Sequence, residues 1–513
     1  MTVPTEPPPD PRHTPATASS TPHDLAEFED EFRDGTPPLD EMSVPAGRTP
    51  LVITLLVAAT FVVILNETIM INAIPRLMVE FDITERSAQW LSTVFMLTMA
   101  AVIPVTGWFL QRVTTRTAYA SAMATFVLGT AIAAAAPTFE VLLGGRVIQA
   151  AGTAVMMPLL MTTLMTVVAP ADRGRVMGNV TLAMSCAPAL GPAVSGVLLE
   201  LGSWRLIFIA VLPVAILVAV WGLRLLENVG ETTSGSPSWI SVLLAAAGFS
   251  SLVYGLSTIG AGGWQQPTFI VGAGLVLVGA FVALQIRLQR SGSPLLDLRT
   301  LRRRTYALSL LLMSAGFMAF LGSMILLPLY LQSLRGLTEF QAGMLVMPGG
   351  LVMGLLGPQV GKVYDRLGSR PLVIPGALGM VVALGLLTQL GLQTPYPVIL
   401  GLHVLLMACL AMVFTPVFTL GLGDLPPELY SHGSSLLGTL QQVAGAIGTA
   451  LLIVIMDNRT ASLLESGVGE AEAAIGGLHW AFGAGALIGV VVVVTAFLLP
   501  ARVEADVEAP VGH

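Results

Sequence analysis

The stretch Asn179–Leu199, NVTLAMSCAPALGPAVSGVLL, decides how the rest of the chain folds. It carries no charge, and it is long enough to cross a bilayer, for which a helix needs about 20 residues. Pro188 and Pro192 lie inside it and are expected to bend the helix, because a proline removes a backbone hydrogen bond. Such a helix survives in lipid only where neighbouring helices satisfy the freed backbone groups.

The same stretch carries a row of small residues. Ala187, Gly191 and Ser195 recur every four positions and therefore share one face of a helix. Small side chains let two membrane helices approach each other closely. The sequence thus predicts a bent and tightly packed membrane helix, although a kinked helix in any multi-pass protein would show the same pattern.

The composition is that of a membrane protein. Of the 513 residues, 54% are hydrophobic and only 11% are charged, whereas soluble domains carry roughly 25% charged residues. Residues 1–49 contain ten acidic residues and three arginines, which accounts for the whole net charge of −7. With few apolar residues, this segment is predicted to be a disordered cytoplasmic tail. Cys186 and Cys409 lie in apolar runs and are interpreted as small hydrophobic residues.

Fourteen apolar stretches are long enough to be transmembrane helices. The fourth and ninth are long and are expected to tilt or to extend past the lipid. The approximate limits are 51–73, 88–110, 117–136, 139–168, 176–200, 204–226, 238–260, 267–288, 305–330, 341–363, 371–391, 395–420, 434–456 and 477–499.

Basic residues are concentrated in the loops that follow even-numbered spans. Short cytoplasmic loops carry an excess of arginine and lysine, so these loops are predicted to be cytoplasmic. An even number of spans then places both termini in the cytoplasm. The residues are Arg112, Arg116, Arg173, Arg175, Arg287, Arg290, Arg299, Arg302–Arg304, Lys362, Arg366 and Arg370.

A spaced motif after the second span recurs after the tenth with an offset of 254 residues. Two copies of six spans, with spans 7 and 8 between them, explain the offset. The copies are Gly107-x-x-x-Gln111-Arg112-x-x-x-Arg116 and Gly361-x-x-x-Asp365-Arg366-x-x-x-Arg370. The predicted domains are the tail 1–49, an N-terminal six-helix bundle 50–228, a two-helix insert 229–290, a C-terminal six-helix bundle 291–500 and a cytoplasmic tail 501–513.

This motif resembles the signature loop between the second and third helices of the major facilitator superfamily. The resemblance implies an all-α membrane fold of two six-helix bundles, here with two extra transmembrane helices. It also implies that Asp365 and Arg366 latch the bundles together on the cytoplasmic side in one conformation. In the first copy Gln111 replaces the acid, so no charged latch is expected there. Ordinary cytoplasmic arginines are the alternative reading. The proposed latch residues are Gly107, Arg112, Arg116, Asp365, Arg366 and Arg370.

The opening stretch resembles the antiporter motif on the fifth helix of drug:proton exporters in this superfamily. That motif is characteristic of exporters rather than importers. The matching residues are Gly178, Ala187, Pro188, Gly191, Pro192, Ser195 and Gly196, with Ala187 and Ser195 in place of two glycines.

Two ionisable residues lie at bilayer depth, where charges are costly and indicate function. Glu67 is sixteen residues into the first span, roughly 24 Å along a helix, and Arg146 is about seven residues into the fourth. The surroundings of Glu67 resemble the first-helix motif of the fourteen-helix drug:proton antiporters, in the branch that contains lincomycin-resistance exporters, and those of Arg146 resemble the fourth-helix motif of the superfamily. We predict that protonation of Glu67 releases Arg146 and biases the bundle between states. A static ion pair that holds spans 1 and 4 together is the alternative.

Several other polar or soft side chains are candidates for the transport pathway. His403 lies at a depth comparable to Arg146 and could carry a proton, although a packing histidine has the same signature. Glutamines on spans 4 and 13 could bind a substrate or join helices, and methionine suits a promiscuous apolar site as well as ordinary packing. The cavity candidates are Asn66, Gln149, Met157, Gln441 and Gln442.

No motif for nucleotide binding, metal binding or nucleophilic catalysis occurs in the sequence. We therefore expect a secondary transporter of the bacterial plasma membrane that is neither an enzyme nor a nucleic-acid binder. It would be a monomer with no cofactor, would use a proton gradient, and would expel small lipophilic or cationic drug-like compounds. A proton-coupled importer of a small solute and a non-transporting membrane sensor or scaffold are the alternatives.

Overall fold

The structure is a computed structural model that describes residues 49–70, 73–229, 232–233, 235–259, 265–290 and 294–502. The predicted tails, 1–49 and 501–513, lie outside these residues apart from positions 49, 501 and 502. Every regular element in the described part of the chain is a helix. This agrees with the rule that backbone polar groups in lipid must be satisfied within the segment itself.

In the described part of the chain, fourteen long helices are apolar enough to cross a membrane, which confirms the predicted number of spans. Their bounds are α1 Thr49–Ile69, α2 Trp90–Arg112, α3 Thr115–Ala134, α4 Phe139–Val167, α5 Arg173–Glu200, α6 Arg205–Leu225, α7 Trp239–Ser257, α8 Gln265–Leu288, α9 Arg304–Leu329, α10 Glu339–Leu367, α11 Arg370–Leu387, α12 Tyr396–Gly423, α13 Tyr430–Glu465 and α14 Glu470–Leu498.

The largest differences from the predicted limits occur where helices continue into polar sequence. Helix α13 runs from Tyr430 to Glu465, longer at both ends than the apolar run 434–456. Helix α9 continues through a π-helical turn, Tyr330–Leu334. Apolar content marks the part of a helix that lies in lipid, whereas backbone hydrogen bonding carries the helix beyond it. Helix α1 ends earlier than predicted, at Ile69, and a short helix Ile74–Glu80 follows it.

The two six-helix halves repeat one pattern of helix contacts. In the first half α1 packs on α4, α5 and α6, while α4 packs on α2 and α3, and α3 packs on α6. Each of these contacts recurs in the second half between the helices numbered eight higher. The halves meet where α5 packs on α10 and where α2 packs on α13. These two contacts are equivalent, because α13 is the counterpart of α5 and α10 is the counterpart of α2. The predicted fold class is thereby confirmed.

Helices α7 and α8 form the insert between the halves. They pack on each other, and α7 also packs on α2 of the first half and α13 of the second. Trp90 of α2 stacks on Tyr254 of α7 with ring centroids 5.6 Å apart. The Ser250 hydroxyl donates to the Leu97 carbonyl of α2 at 3.0 Å. The insert therefore covers the seam between α2 and α13.

The contact between α5 and α10 depends on glycine. A methyl group on Gly178 would lie 2.7 Å from the carbonyl carbon of Gly357, and one on Gly361 would lie 2.6 Å from the carbonyl carbon of Gly174. The two backbones are thus in direct contact, which is how glycine drives helix association in lipid. Helix α5 is continuous through both of its prolines.

We predict that Gly178→Ala weakens the packing of the two halves, because the added methyl meets backbone atoms that cannot move aside. Overpacking of this kind costs about 1–3 kcal/mol. Thermal melting of the detergent-purified protein is expected to show a lower transition temperature than for the parent protein.

Gly385→Ala on α11 is the matched control, since nothing lies within 4 Å of the added methyl. Alanine is also the better helix former, so this variant should melt at the parent temperature or above it. Equal melting of the two variants would contradict the tight α5–α10 contact.

Candidate functional site

The Arg146 guanidinium is buried in the first bundle, with only 1% of the residue exposed. It lies over the ring of Phe95 on α2, 4.1 Å from the ring centroid. Its Nη1 donates to Gln149 Oε1 at 2.5 Å, and Gln149 Nε2 donates to Thr130 Oγ1 of α3 at 2.8 Å. Within the described residues the Arg146 Nε has no acceptor. The cation is therefore held by an aromatic face and an amide, which leaves its charge uncompensated by direct contact.

Glu67, near the end of α1, is the acidic neighbour of this cation. Its carboxylate and the Arg146 guanidinium attract each other electrostatically. No hydrogen bond or ion pair within 4 Å joins them among the residues that the structure describes. The charges thus act across a gap, so a change in the charge of Glu67 would be felt at Arg146 without a bond being broken.

Asn66 and Glu67 face different surroundings, because neighbouring residues on a helix point about 100° apart. Asn66 is completely buried, and neither atom of its side-chain amide has a partner within the described part of the chain. Glu67 is half-buried. The residue that occupies the position of the acid in the resembled motif is therefore the fully buried one, whereas Glu67 keeps part of its surface exposed.

The proposed antiporter residues lie between this site and the other half. A methyl group on Gly191 would lie 2.6 Å from Thr68 Oγ1, beside Glu67 on α1. Ala187 and Ser195 are fully buried on the same row, as predicted. On another side of α5, Pro192 packs on Gly343 and Gly196 packs on Phe340, both of α10.

Helix α5 therefore touches the Glu67 region on one side and the second half of the molecule on the other. The remaining proline, Pro188, lies within this continuous helix. Movement of α1 at Thr68 would be passed to α10 through this one continuous helix.

The second copy of the loop motif contacts the start of α5. Asp365 accepts hydrogen bonds from the backbone N–H groups of Gly174, at 2.8 Å, and Arg175, at 2.7 Å. A carboxylate is stabilised there because the first N–H groups of a helix lack internal partners and carry partial positive charge. Asp365 thus joins the two halves at the face of the molecule that carries the loops after even-numbered helices, which we call the basic face.

Of the two arginines in the second copy, only Arg370 bonds a helix end through its side chain among the described residues. Arg370 Nε donates to the Leu499 carbonyl at the end of α14, at 3.1 Å. The Arg366 side chain is exposed, while the Arg366 carbonyl accepts a hydrogen bond from Arg502. Such contacts neutralise unpaired carbonyl groups at helix C-termini.

The first copy joins the halves through Gln111, which contacts a residue that was not predicted to be functional, His432. Gln111 Nε2 donates to the Glu428 carbonyl at 2.7 Å, and Gln111 Oε1 lies 3.1 Å from His432 Nε2 of α13. Gly107 lies directly against His432, since a methyl group on this glycine would come within 2.9 Å of the His432 Nδ1. No sequence motif pointed to His432.

The arginines of the first copy hold the segment that leads to the insert. Arg112 Nε donates to the Gly235 carbonyl at 3.2 Å, and its guanidinium lies 4.8 Å from the centroid of the Trp108 ring. The backbone N–H of Arg116 donates to Asn228 Oδ1 at 3.3 Å. The loop between α2 and α3 is therefore fastened to the segment between α6 and α7.

The remaining candidates differ in how they are packed. His403 is buried against Gly349 of α10 and is hydrogen-bonded to the backbone of Val346, an environment that suits a packing histidine. Gln441 and Gln442 are half-buried, and the Gln441 Nε2 has no partner in the described residues.

The methionines of α4 also separate into two groups. Met156, Met161 and Met165 belong to the core, whereas Met157 is half-buried. Gln149, by contrast, is wholly buried in the arginine network. Of these two α4 candidates for the cavity, only Met157 keeps accessible surface in this conformation.

Comparison with known proteins identifies the family. The sequence profile of the Major Facilitator Superfamily matches residues 56–449. The chain is a member of the major facilitator superfamily. Membership places it among membrane transporters, in agreement with its fourteen spanning helices. Within the described residues no cluster of three or more histidine, cysteine or acidic side chains could hold a metal ion.

The relatives within the superfamily include proteins named for drug resistance. The chain is 37% identical over 422 residues to the lincomycin resistance protein LmrB of Listeria monocytogenes, covering 82% of this chain and 89% of that one. It is 36% identical over 457 residues to the uncharacterized MFS-type transporter YcnB of Bacillus subtilis, covering 89% and 95%. A multidrug resistance protein B homolog of Mycobacterium tuberculosis is 30% identical over 383 residues, covering 74% of this chain and 70% of that one.

Solved structures share the fold at low sequence identity. The human organic anion transporter MFSD10 matches with a TM-score of 0.63 and 16% identity, covering 88% of this chain and 100% of that one. The proton:xylose symporter XylE matches with a TM-score of 0.60 and 15% identity, covering 89% and 96%. At such identity these matches establish the architecture only.

We predict that Gln149→Leu destabilises the protein by roughly 1–3 kcal/mol, because it leaves a buried guanidinium N–H and the Thr130 hydroxyl without their amide partner. Thermal melting of the purified protein measures this loss. Gln389→Leu, which changes an exposed glutamine next to Thr388, is the control and should melt with the parent. If both variants melted together, the network around Arg146 would contribute nothing to stability.

Proposed function

We propose that this protein exports lipophilic or cationic drug-like compounds from the bacterial cytoplasm in exchange for protons. The observation that carries the proposal is the similarity, over most of both chains, to proteins named lincomycin resistance protein and multidrug resistance protein. The transporter acts as a monomer, needs no cofactor beyond the proton gradient, and has its basic face and both termini in the cytoplasm. The excess of arginine on that face supports this orientation.

Glu67 is the proton carrier in this proposal, and Arg146 responds electrostatically to the charge of Glu67. With Glu67 ionised, the guanidinium is attracted towards α1. Protonation removes the attraction, and Arg146 remains charged because a guanidinium does not lose its proton in this range. The difference in electrostatic energy between the two protonation states is what shifts the balance of conformations.

Helix α5 carries this shift to the interface between the halves. It contacts Thr68 through Gly191 and contacts α10 along its length, from Gly174 to Gly196. The basic face is closed in this conformation, since Asp365 and Gln111 each bond across it. Export requires both connections to part so that a compound can enter from the cytoplasm, and then to form again.

We predict that Glu67→Gln abolishes proton-driven transport and leaves substrate binding intact, because the amide keeps the size of the side chain but cannot exchange a proton. A fluorescent lipophilic cation would be added to the medium around inside-out vesicles that have an acid interior. The parent protein should accumulate the dye and dissipate the pH gradient, and the variant should lose at least about nine-tenths of that uptake, equivalent to about 1.4 kcal/mol or more.

Glu339→Gln, at the exposed start of α10, is the control and should transport normally. Dye uptake by the Glu67→Gln variant that still follows the pH gradient would remove Glu67 from the coupling. An importer of a small solute would neither accumulate the dye nor dissipate the gradient in these vesicles, and that result would overturn the proposed direction of transport.

A further inference from the structure

The two loop-motif copies meet the opposite half in equivalent places but with different chemistry. Asp365 faces the start of α5, and Gln111, 254 residues earlier, faces the start of α13. The first contact is a carboxylate on two backbone N–H groups. The second joins a neutral amide to a histidine side chain. Both connections across the basic face thus contain a titratable group, but only the second contains a histidine, whose ordinary titration range lies between pH 5 and 8.

The orientation of the Gln111 amide follows from its surroundings. The Glu428 carbonyl can only accept, so the amide nitrogen of Gln111 must face it, at 2.7 Å. The amide oxygen then faces His432, which must donate from its Nε2 across the 3.1 Å separation. A neutral His432 therefore carries its single proton on Nε2, and its Nδ1 is bare.

A second proton on His432 has no acceptor in the closed conformation. The Nδ1 lies against Gly107, and within the described residues it makes no hydrogen bond. The residue is only 3% exposed. A protonated imidazole would therefore be a buried cation with one unsatisfied donor, which is strongly unfavourable.

The charged groups around His432 do not compensate for this cost. Arg112 at the end of α2 and Arg299 between α8 and α9 repel a positive imidazole, and Asp297 attracts it. Asp297 is itself 2% exposed, and Arg299 donates four hydrogen bonds to its carboxylate, one from the backbone N–H at 2.9 Å and three from the guanidinium at 3.1, 2.8 and 2.5 Å. Burial raises the pKa of Asp297, but the hydrogen bonds from Arg299 lower it by more than burial raises it. The pKa of Asp297 therefore lies below its ordinary value, and the carboxylate stays paired with Arg299.

We propose that Gln111 and His432 form a second latch between the halves, which closes when His432 is neutral and opens when His432 is protonated. Opening lets water reach Nδ1 and hydrates the charge, so acid favours the open basic face. The two latches then respond differently, because the Asp365 contact contains no histidine. The inference builds on the proposed alternating opening, but it concerns the conformation of the free protein and needs neither substrate nor gradient.

The test is a distance measurement by electron paramagnetic resonance. Spin labels at Thr117→Cys and Glu428→Cys, both exposed and on opposite sides of this latch, would be placed in a Cys186→Ser, Cys409→Ser background. The distance is measured in nanodiscs without substrate between about pH 8 and pH 5, the range in which histidine titrates. We expect the open population to rise at least about tenfold as the pH falls.

Three variants decide the assignment. His432→Gln cannot take up a proton and should stay closed at both pH values. Gln111→Glu offers a carboxylate to the charged imidazole but loses the amide donor to the Glu428 carbonyl, so it should be more open than the parent at pH 8 and should gain much less open population than the parent as the pH falls. His479→Gln, which changes a histidine bonded to the Leu390 carbonyl elsewhere, should open as the parent does.

Opening of His432→Gln in acid, a rise in the open population of Gln111→Glu with falling pH as large as the parent's, or an absence of opening in the parent would overturn the latch. If His432→Gln failed to fold, Gln111→Glu alone would decide. A failure of proton-driven transport in vesicles would leave these distances unchanged, so the latch and the proposed function fail separately.

Discussion

The contact of the α5 and α10 backbones is the constraint on which the rest of the structure depends. The backbones of Gly174 and Gly178 lie directly against those of Gly361 and Gly357. Lipid provides little hydrophobic force to hold helices together, so this closeness has to supply the attraction through van der Waals contact. It also sets the distance between the halves, and with it the positions of Asp365 and Thr68 relative to α5.

The effect of the charges in the first bundle on the interface between the halves depends on that geometry. Arg146 is oriented by Phe95 and Gln149, which belong to α2 and α4. Glu67 approaches it from α1, the helix that Gly191 of α5 touches at the next residue. A change in the charge of Glu67 therefore occurs one helix away from the interface between the halves. Stability and mechanism use the same helix, α5.

The sequence predicted those features that are carried by composition or by repetition. Fourteen spans follow from apolar length, and the duplicated arrangement follows from a motif repeated at a fixed offset. Arg146 was recognisable because a cation inside an apolar run is rare. The row of Ala187, Gly191 and Ser195 predicted a buried helix face, and the residues are buried.

Features that depend on how two distant helices are rotated and aligned could not be predicted. The Gln111–His432 contact joins residues 321 positions apart, and it forms only because α2 and α13 meet in one register. The difference between Asn66 and Glu67 depends on the rotation of α1, which a short motif does not determine. Helix ends such as Glu465 lie in polar sequence, where hydropathy gives no signal.

The position of α7 affects how a lipophilic molecule reaches the protein from the membrane. This helix straddles the junction of α2 and α13 and is pinned to α2 by the Ser250 hydroxyl and by the stacking of Tyr254 on Trp90. Acyl chains are kept away from that junction. Among the described residues, the insert makes no comparable packing contact with the junction of α5 and α10. The two flanks of this pseudo-symmetric molecule are therefore not equivalent as routes of entry for a compound dissolved in the membrane.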